Sequence, residues 1–489
     1  MTRSIESALE RATHALLRAL PDGVIVDLAA KKPYETDGLT AIREVPGVVV
    51  LPRTTAQVAT VLAICREHDV PIVPRGAGTG LSGGARPHAQ GVLMSLARLD
   101  RILAIDPNRR LARVEPGVRN LAISEAASRF GLFYAPDPSS QIACSIGGNV
   151  AENSGGVHCL KYGLTVHNVV GLKVLTIAGD ELALGGATLD TPGFDVLALM
   201  NGSEGMLGIV TEVTVRLLPK PEAKRVLLAG FATLAAAARA VSATIASGIV
   251  PAGLELMDRL AIRAAEAYAQ AGYPLDVEAI LLCELDGARA EVDATAARVR
   301  AVFEREGAAR LRVATDDAEC DALWRGRKSA FPAVGRLAPD YYCMDGTIPR
   351  AALERVLRAI GELSGEFGLD VANVFHAGDG NLHPLILYDA NRSGELERAV
   401  AMGERILALC VAAGGTVTGE HGVGVEKLDA MCGQFASAEL AQFHRLKAAF
   451  DPDGLLNPGK AVPTLARCSE LGGMHVHAGR LPFPELERL

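Results

Sequence analysis

Two glycine-dense stretches constrain this chain more than any other feature. Residues 75–84 (RGAGTGLSGG) contain five glycines, and glycine weakens a helix or strand by roughly 0.5–1 kcal/mol relative to alanine. The stretch is therefore expected to be a loop. It includes Gly78-x-Gly80-x-x-Gly83 and follows the short apolar run PIVP, as a dinucleotide fingerprint follows its strand. A Rossmann site also requires a helix directly after the glycines, with its N-terminus on the pyrophosphate. The next residues, GGARPHAQG, carry no helical periodicity, so that site is excluded. Two readings remain: a loop of backbone N–H groups beside Arg75, which suits a phosphate, or a structural glycine turn. A second dense region, residues 136–163, follows the turn-forming Pro136-Asp137-Pro138. It contains Ser145, Gly147, Gly148, Asn149, Asn153, Ser154, Gly155 and Gly156. Small residues in two separate segments let a flat ring system and a pyrophosphate lie against backbone amides, which favours the ligand reading.

Composition bounds the setting. A chain of 489 residues carries a soft expectation of about three domains. Hydrophobic residues at 49% and charged residues at 22% exclude a disordered or coiled-coil protein. A net charge of −8 argues against nucleic acid as a partner. The nine cysteines are separated by at least 15 residues and form no C-x-x-C pair. Zinc-ribbon, thioredoxin and iron–sulfur ligation thus find no support, and free, mostly buried thiols in a reducing compartment are expected. The opening MTRSIESALERATHALLRAL places Glu6, Glu10 and Arg11 where a signal peptide needs an apolar core. No run of ~18 apolar residues occurs, so a soluble, cytoplasmic protein without a transmembrane segment is expected.

Residues 1–45 read as an N-terminal helical segment. From Gly47 the order is strand, helix, strand. GVVVLP is followed by TTAQVATVLAICREHD, with Val58, Val61, Leu62 and Cys65 at helical spacing behind a Thr54/Gln57 capping pair, and then by PIVP. Short β-rich segments follow (GVLMSL, RLARVEPG, NVVGLKVLTI, IVTEVTVRLLP), and Pro219 and Pro221 close a block at 46–222. From Arg225 the rhythm changes. RVLLAGF, EAILLCELDG, RLRVA and YYCMDGTIP read as strands, and 234–247, 287–306 and 350–367 as amphipathic helices. Residues 223–425 are expected to form an α+β cap, a sheet with helices on one face. A segment at 426–462 and a tail at 463–489 complete the chain.

Two polar motifs stand near the C-terminus. FHAGDGNLHP carries His376 and His383, with Asp379, Gly380 and Asn381 as a turn between them. Spacing of seven does not align two ligands on one strand, but a turn folds the chain so that both imidazoles converge. TGEHGVG adds a carboxylate, Glu420, beside His421. Two histidines and one glutamate make an open divalent-metal set. The plain alternative is a pair of independent polar turns.

With these residues together the chain resembles a known family. PRGAGTGLSGG, SIGGNVAENSGG and NGSEGMLGIVTEVTVRLLP resemble the FAD-binding domain of the vanillyl-alcohol-oxidase/PCMH flavoprotein superfamily. The resemblance implies that Arg75, Gly76, Ala77, Gly78, Thr79, Gly80 and Ser82 form a pyrophosphate loop. It implies that Pro138, Ser139, Gly148, Asn149, Ser154 and Gly155 line the flavin, and that Glu204, Gly208, Ile209 and Val210 bracket the adenine–ribose end. Some members tether FAD through a His or Cys in this loop; neither is present here, so noncovalent FAD is expected. The fold implied is α+β: a two-part PCMH-type FAD-binding domain, an α+β cap, and a C-terminal segment returning to the flavin domain. Asn457, in the terminal LNPGK, joins the expected cofactor-binding residues.

FHAGDGNLHP and TGEHGVG, with DPDGLLNPGK, narrow the resemblance to FAD-linked D-2-hydroxy-acid dehydrogenases, a family acting on D-lactate, D-2-hydroxyglutarate and glycolate. It implies that His376, His383 and Glu420 bind a divalent metal (Zn, Mn or Fe) and that His421 is the catalytic base. Residues 321–350 (DALWRGRKSAFPAVGRLAPDYYCMDGTIPR) resemble one branch, the D subunits of bacterial glycolate oxidases. There Arg327 would clamp the substrate carboxylate, a task its planar guanidinium suits. The plain alternative is a helix-surface arginine, the reading given to Arg325 and Lys328. The hydroxyglutarate members carry a lysine later in this segment, whereas APDYYCMDGT has no cation. A small monocarboxylate, glycolate or D-lactate, is therefore expected. The branch also implies a second flavin-domain subunit and an iron–sulfur subunit as partners, at the inner face of the plasma membrane. Two readings from other classes are a metal-dependent hydrolase and a noncatalytic FAD-binding subunit of an electron-transfer complex. The resemblance covers roughly residues 45–462, and the tail resembles nothing.

Overall fold

The computed structural model describes residues 7–188, 193–465 and 467–468. The expected tail lies outside the described residues from 469 onward. The N-terminal segment opens with helix Ala8–Ala19, where the Ser7 hydroxyl accepts from Glu10 N and the Glu10 carboxylate accepts from Ser7 N. This reciprocal cap satisfies N–H groups that the first helical turn leaves free. Ala12 and Leu16 then pack on a four-stranded sheet ordered Val24–Ile25, Val48–Val50, Val92–Ser95, Ile72–Arg75. The last three strands are parallel. On helix Thr55–Glu67 the buried face is Val58, Val61, Leu62 and Cys65, as their spacing predicts. The first glycine loop begins where Ile72–Arg75 ends.

A five-stranded antiparallel sheet follows, ordered Ile102–Asp106, Leu111–Val114, Ile209–Arg216, Val169–Leu175, Glu181–Gly185. Burial alternates along Ile209–Arg216, so one face meets a core that includes Ile123, Ile146 and Val150. The glycine-dense 136–163 stretch is not all loop. It holds two short helices, Ile146–Glu152 and Cys159–Tyr162, and a third, Thr165–Asn168, follows directly. Ser145 starts the first, its hydroxyl accepting from Gly148 N at 3.3 Å.

The largest sheet has seven antiparallel strands, ordered Ala308–Val313, Ala223–Phe231, Ala279–Gly287, Gly253–Asp258, Val371–Phe375, Pro384–Tyr388, Asp340–Cys343. The expectation of helices on one face is corrected here, because both faces are covered. Leu227, Ala229 and Phe231 pack on helices Leu234–Ala246, Arg289–Arg305, Leu353–Phe367 and Glu395–Ala412. The intervening Val226 and Leu228 pack on helices Arg259–Ala269, Asp317–Lys328 and Ala330–Val334. The reason lies in the strands themselves: residues 279–283 (AILLC) are continuously apolar, the pattern of a strand buried on both sides. Each fully buried Ile or Leu of the run stabilises the fold by about 1.5–3 kcal/mol.

After helix Ser437–Phe450 the chain returns to the first sheet, as expected of the C-terminal segment. Ile72 N donates to Leu455 O at 2.8 Å and Asn457 N to Ile72 O at 2.7 Å. Leu455 and Leu456 are buried in that sheet's core. The expectation of free thiols throughout is also corrected. Cys432 and Cys468 form a disulfide with Cα atoms 5.2 Å apart, leaving seven free cysteines. The pair is 36 residues apart in sequence, a separation without periodic signature. It forms because helix Leu428–Gln434 meets the chain around residue 468. Among the described residues no helix is long and apolar enough to cross a membrane.

Candidate active site

A cavity of about 480 Å³ lies between the glycine loops and the seven-stranded sheet. One wall is the run Arg75 to Gly80, and a second holds Pro138, Ser139, Gly148, Asn149 and Ser154. Glu204, Gly208, Ile209 and Val210 form a third. Lys328, Phe331, His376, His383, Glu420 and His421 close the far end. Most of the predicted residues are thus brought to one space. Ser82, Gly155, Arg327 and Asn457 are not on its surface but behind it. The Ser82 carbonyl accepts from Val425 N and Glu426 N, and Asn457 Nδ2 donates to the carbonyls of Gly84 and Glu204. Both pin loops that form the walls. At Gly155 a Cβ would lie 2.5 Å from Glu420 Oε2, so glycine makes room for that carboxylate.

The glycine walls fit a dinucleotide cofactor. Gly78 has φ +72, and a Cβ there would strike the Arg75 guanidinium. A Cβ on Gly76 would strike Ser145 Oγ. Arg75 is buried, donates from Nη1 to Thr36 O at 2.7 Å, and stands at the loop as a fixed charge. Backbone amides therefore line a slot that no side chain fills, the environment a pyrophosphate needs. Glu204 and Glu152, with Asp37, also face the cavity. Glu204 accepts from Val423 N and Gly424 N, both at 2.7 Å, which joins this wall to the GEHGVG turn. Burial and the neighbouring Glu204 push the Glu152 carboxyl well above its usual range.

The histidine end is built from three separated pieces of chain. Val371–Phe375 and Pro384–Tyr388 pair as antiparallel strands, so the turn between them brings His376 and His383 together with ring centroids 5.0 Å apart. Glu420 and His421 come from a turn that Asp345 holds. The Asp345 carboxylate, fully buried, accepts from His421 N at 2.8 Å and Thr418 Oγ1 at 2.6 Å. Burial alone would raise its pKa, but His421 and Lys427 outweigh that and hold the carboxyl well below the carboxylate range. Glu420 Oε1 lies 2.9 Å from His383 Nε2, 3.4 Å from His376 Nε2 and 3.7 Å from His421 Nε2. The two motifs are one cluster, not two independent turns.

The donor atoms of His376, His383 and Glu420 lie within 4.8 Å of one another. Two imidazoles and a carboxylate fit a divalent ion with open positions for substrate. Cys343, His383 and His421 form an equally compact set. There, however, the Cys343 thiol donates to Met344 O at 3.4 Å, and burial, with Asp345 adding to it, pushes the thiol well above its ordinary range. A metal requires the thiolate, so the first set is the better candidate. Burial raises Glu420, but His376 and His383 outweigh it and keep the carboxyl well below its usual value. Burial pushes His421 down to about 4, against the opposing pull of Asp345.

Three residues of the site escape sequence reasoning. Glu255 touches His376, Asp345 anchors the GEHGVG turn, and Lys328 reaches the cavity beside Asp137 at 3.6 Å. No motif joins Glu255 or Asp345 to its partner, and Lys328 reads from sequence as helix surface. Arg327 is 1% exposed, within 2.5 Å of Glu255 and behind Lys328.

Known proteins are similar to this chain in sequence and fold. Residues 46–185 match the FAD binding domain family, and residues 220–461 match the C-terminal domain of FAD linked oxidases. The chain is 62% identical over 456 residues to glycolate oxidase subunit GlcD of Escherichia coli (strain K12), spanning 93% of this chain and 91% of that protein. It is 40% identical to glycolate oxidase subunit GlcD of Bacillus subtilis (strain 168), over 90% of this chain and 94% of that one. It is 31% identical to a D-lactate dehydrogenase of Anaerostipes hadrus, over 85% and 89%. Among solved structures, p-cresol methylhydroxylase with substrate bound aligns with a TM-score of 0.78 at 19% identity, over 94% of this chain and 98% of that one. That likeness is one of fold. On fold, matched domains and relatives together, the chain belongs to the FAD-linked D-2-hydroxy-acid dehydrogenase family of PCMH-type flavoproteins.

Proposed function

We propose that this chain oxidises a small 2-hydroxy acid, glycolate or D-lactate, to the 2-oxo acid. The observation that carries the reading is one cavity joining the glycine walls to the cluster of His376, His383, Glu420 and His421. When bound, FAD along those walls supplies the hydride acceptor, and a divalent ion (Zn, Mn or Fe) on His376, His383 and Glu420 supplies a Lewis acid for the substrate hydroxyl. Cys144 reaches the cavity, but burial pushes its thiol up and its sulfur accepts from Asn149 Nδ2 at 3.4 Å. A protonated, pinned thiol supports noncovalent FAD.

His421 stacks on His383 with centroids 4.9 Å apart and planes 13° from parallel. Neutral at physiological pH, it holds a free lone pair and takes the hydroxyl proton as general base. Lys328 is the cation on the wall at this end, and Arg327 adds a second positive charge behind it. Lys328 holds one carboxylate, with Arg327 adding to the positive potential from behind the wall, and so orients the Cα–H, which removes orientational freedom before the reaction. Arg75 is engaged at the opposite end. Charge for a single carboxylate favours a monocarboxylate, and one methyl group changes discrimination by only ~1–3 kcal/mol. Steady-state turnover with an artificial dye acceptor tests this. Glycolate or D-lactate should exceed D-2-hydroxyglutarate in kcat/KM by at least about tenfold, ~1.4 kcal/mol, and a preference for the dicarboxylate contradicts the reading.

The GlcD relatives carry names of glycolate oxidase subunits. That supports assembly with a second flavin-domain subunit and an iron–sulfur subunit, in the cytoplasm and peripheral on the inner face of the plasma membrane. Co-expression with such subunits should yield one complex on size-exclusion chromatography, and separate elution counts against assembly.

A further inference from the structure

Glu255 belongs to neither histidine motif, yet it touches both the cluster and the arginine. It stands on strand Gly253–Asp258 at the centre of the seven-stranded sheet and is 1% exposed. A carboxylate so placed is costly unless paired and hydrogen-bonded. Both of its oxygens lie 2.9 Å from His376 Nδ1, and Oε2 lies 2.5 Å from Arg327 Nη2. The other ring nitrogen, His376 Nε2, faces Glu420.

The neighbouring histidines differ. His383 Nδ1 and His421 Nδ1 are buried without a hydrogen-bond partner. Within the cluster, only His376 therefore has both its ring orientation and its tautomer fixed from outside: Nδ1–H donates to Glu255, and Nε2 is presented to the centre. A carboxylate behind a histidine orients the ring and makes its far nitrogen a better ligand. Arg327 completes the chain. Its guanidinium makes no hydrogen bond of good geometry, and Glu255 is its ion-pair partner. Removing Arg327 would leave Glu255 with an uncompensated charge directly behind the histidine.

We propose that Glu255 is a positioning residue shared by the metal ligand His376 and by Arg327, so that ion binding and carboxylate binding are coupled through one buried side chain. The inference rests on the metal reading above. It predicts that Arg327 acts on the ion as well as on the substrate, which a simple carboxylate clamp would not do.

The test titrates Mn²⁺ or Zn²⁺ into metal-stripped, FAD-loaded protein and reads the apparent Kd together with FAD content. Glu255→Gln keeps the shape but loses the charge, and should raise the ion's Kd by about 10–100-fold at unchanged FAD content. Glu255→Asp withdraws the carboxylate by one methylene and should raise it as well, and it carries the test should the glutamine variant fail to fold. Arg327→Met should lower the ion's Kd, because the uncompensated Glu255 charge makes His376 a stronger donor, and should raise the substrate KM. Wild-type ion affinity in the Glu255 variants overturns the proposal, as does an Arg327→Met variant altered in KM alone. A wild-type protein that takes up no divalent ion is a different failure, because it removes the metal reading itself.

Discussion

Among single residues, the reactive end of the cavity is made by setting one carboxylate, Glu420, against three imidazoles. In the proposed reaction His421 is the general base that accepts the hydroxyl proton. His421→Ala should lower kcat/KM by ~10²–10⁴-fold while FAD stays bound, as read by dye-linked turnover and the flavin spectrum. Gly155 gives a second prediction. Its missing Cβ is the space that Glu420 Oε2 occupies, so Gly155→Ala should displace the carboxylate and cut kcat by about tenfold or more, ~1.4 kcal/mol, at unchanged FAD content. His376, His383, Glu420 and His421 were legible because each pair sits in a short glycine-rich turn whose sequence is itself the signal. Glu255 and Asp345 were not, because they are 121 and 76 residues from the groups they hold. Their chemistry exists only after the sheet has formed. Asp345 is testable in turn: Asp345→Asn weakens the anchor of the GEHGVG turn and leaves buried Lys427 without its Asp345 ion-pair partner. Breaking such a pair costs about 3–5 kcal/mol, which thermal denaturation would read.

Between elements, the contact of the short helices with the large sheet carries a pH dependence. His158, just before helix Cys159–Tyr162, lies 3.0 Å from Asp137 and 3.1 Å from Glu284 on strand Ala279–Gly287. Trp324 Nε1 also donates to Glu284, and Lys328 approaches Asp137. Burial lowers the His158 pKa, but the two carboxylates more than offset it and raise it well above 6.5. The folded state therefore holds this proton more tightly than the unfolded chain. Its stabilisation is complete below about 6.5 and is lost as pH climbs through the raised folded value. The melting temperature should fall between neutral and alkaline pH, and His158→Gln should flatten that fall; an unchanged slope in the variant contradicts the bridge. Element types were largely legible, since helix Thr55–Glu67 carries a helical periodicity and strand Ala279–Gly287 an unbroken apolar start, both of which survive folding. The covering of both sheet faces is written in the continuous apolar run of residues 279–283 (AILLC), whose successive side chains point to opposite faces. The helices within 136–163 were hidden by glycine, and there a single cap, Ser145, marks the start of Ile146–Glu152.

For the whole molecule, the active site is where separate parts of the fold meet. The four- and five-stranded sheets carry the glycine walls, the seven-stranded sheet supplies His376 and His383, and the returning C-terminal segment pins the loops through Asn457. That return was legible by resemblance, whereas the disulfide from Cys432 to Cys468 was not, since a 36-residue separation carries no local signal. In the proposed reading the two ends divide the work: the walls would hold FAD, and the cluster the reacting hydroxyl. Only together do they transfer hydride. The most direct test is the absorbance spectrum of purified, ion-loaded protein, recorded without oxygen before and after adding glycolate or D-lactate. Oxidised flavin bands that bleach with at least one of these acids, and persist in His421→Ala, are the predicted result. A protein that neither carries nor takes up FAD, or whose flavin stays oxidised with both acids, would contradict it.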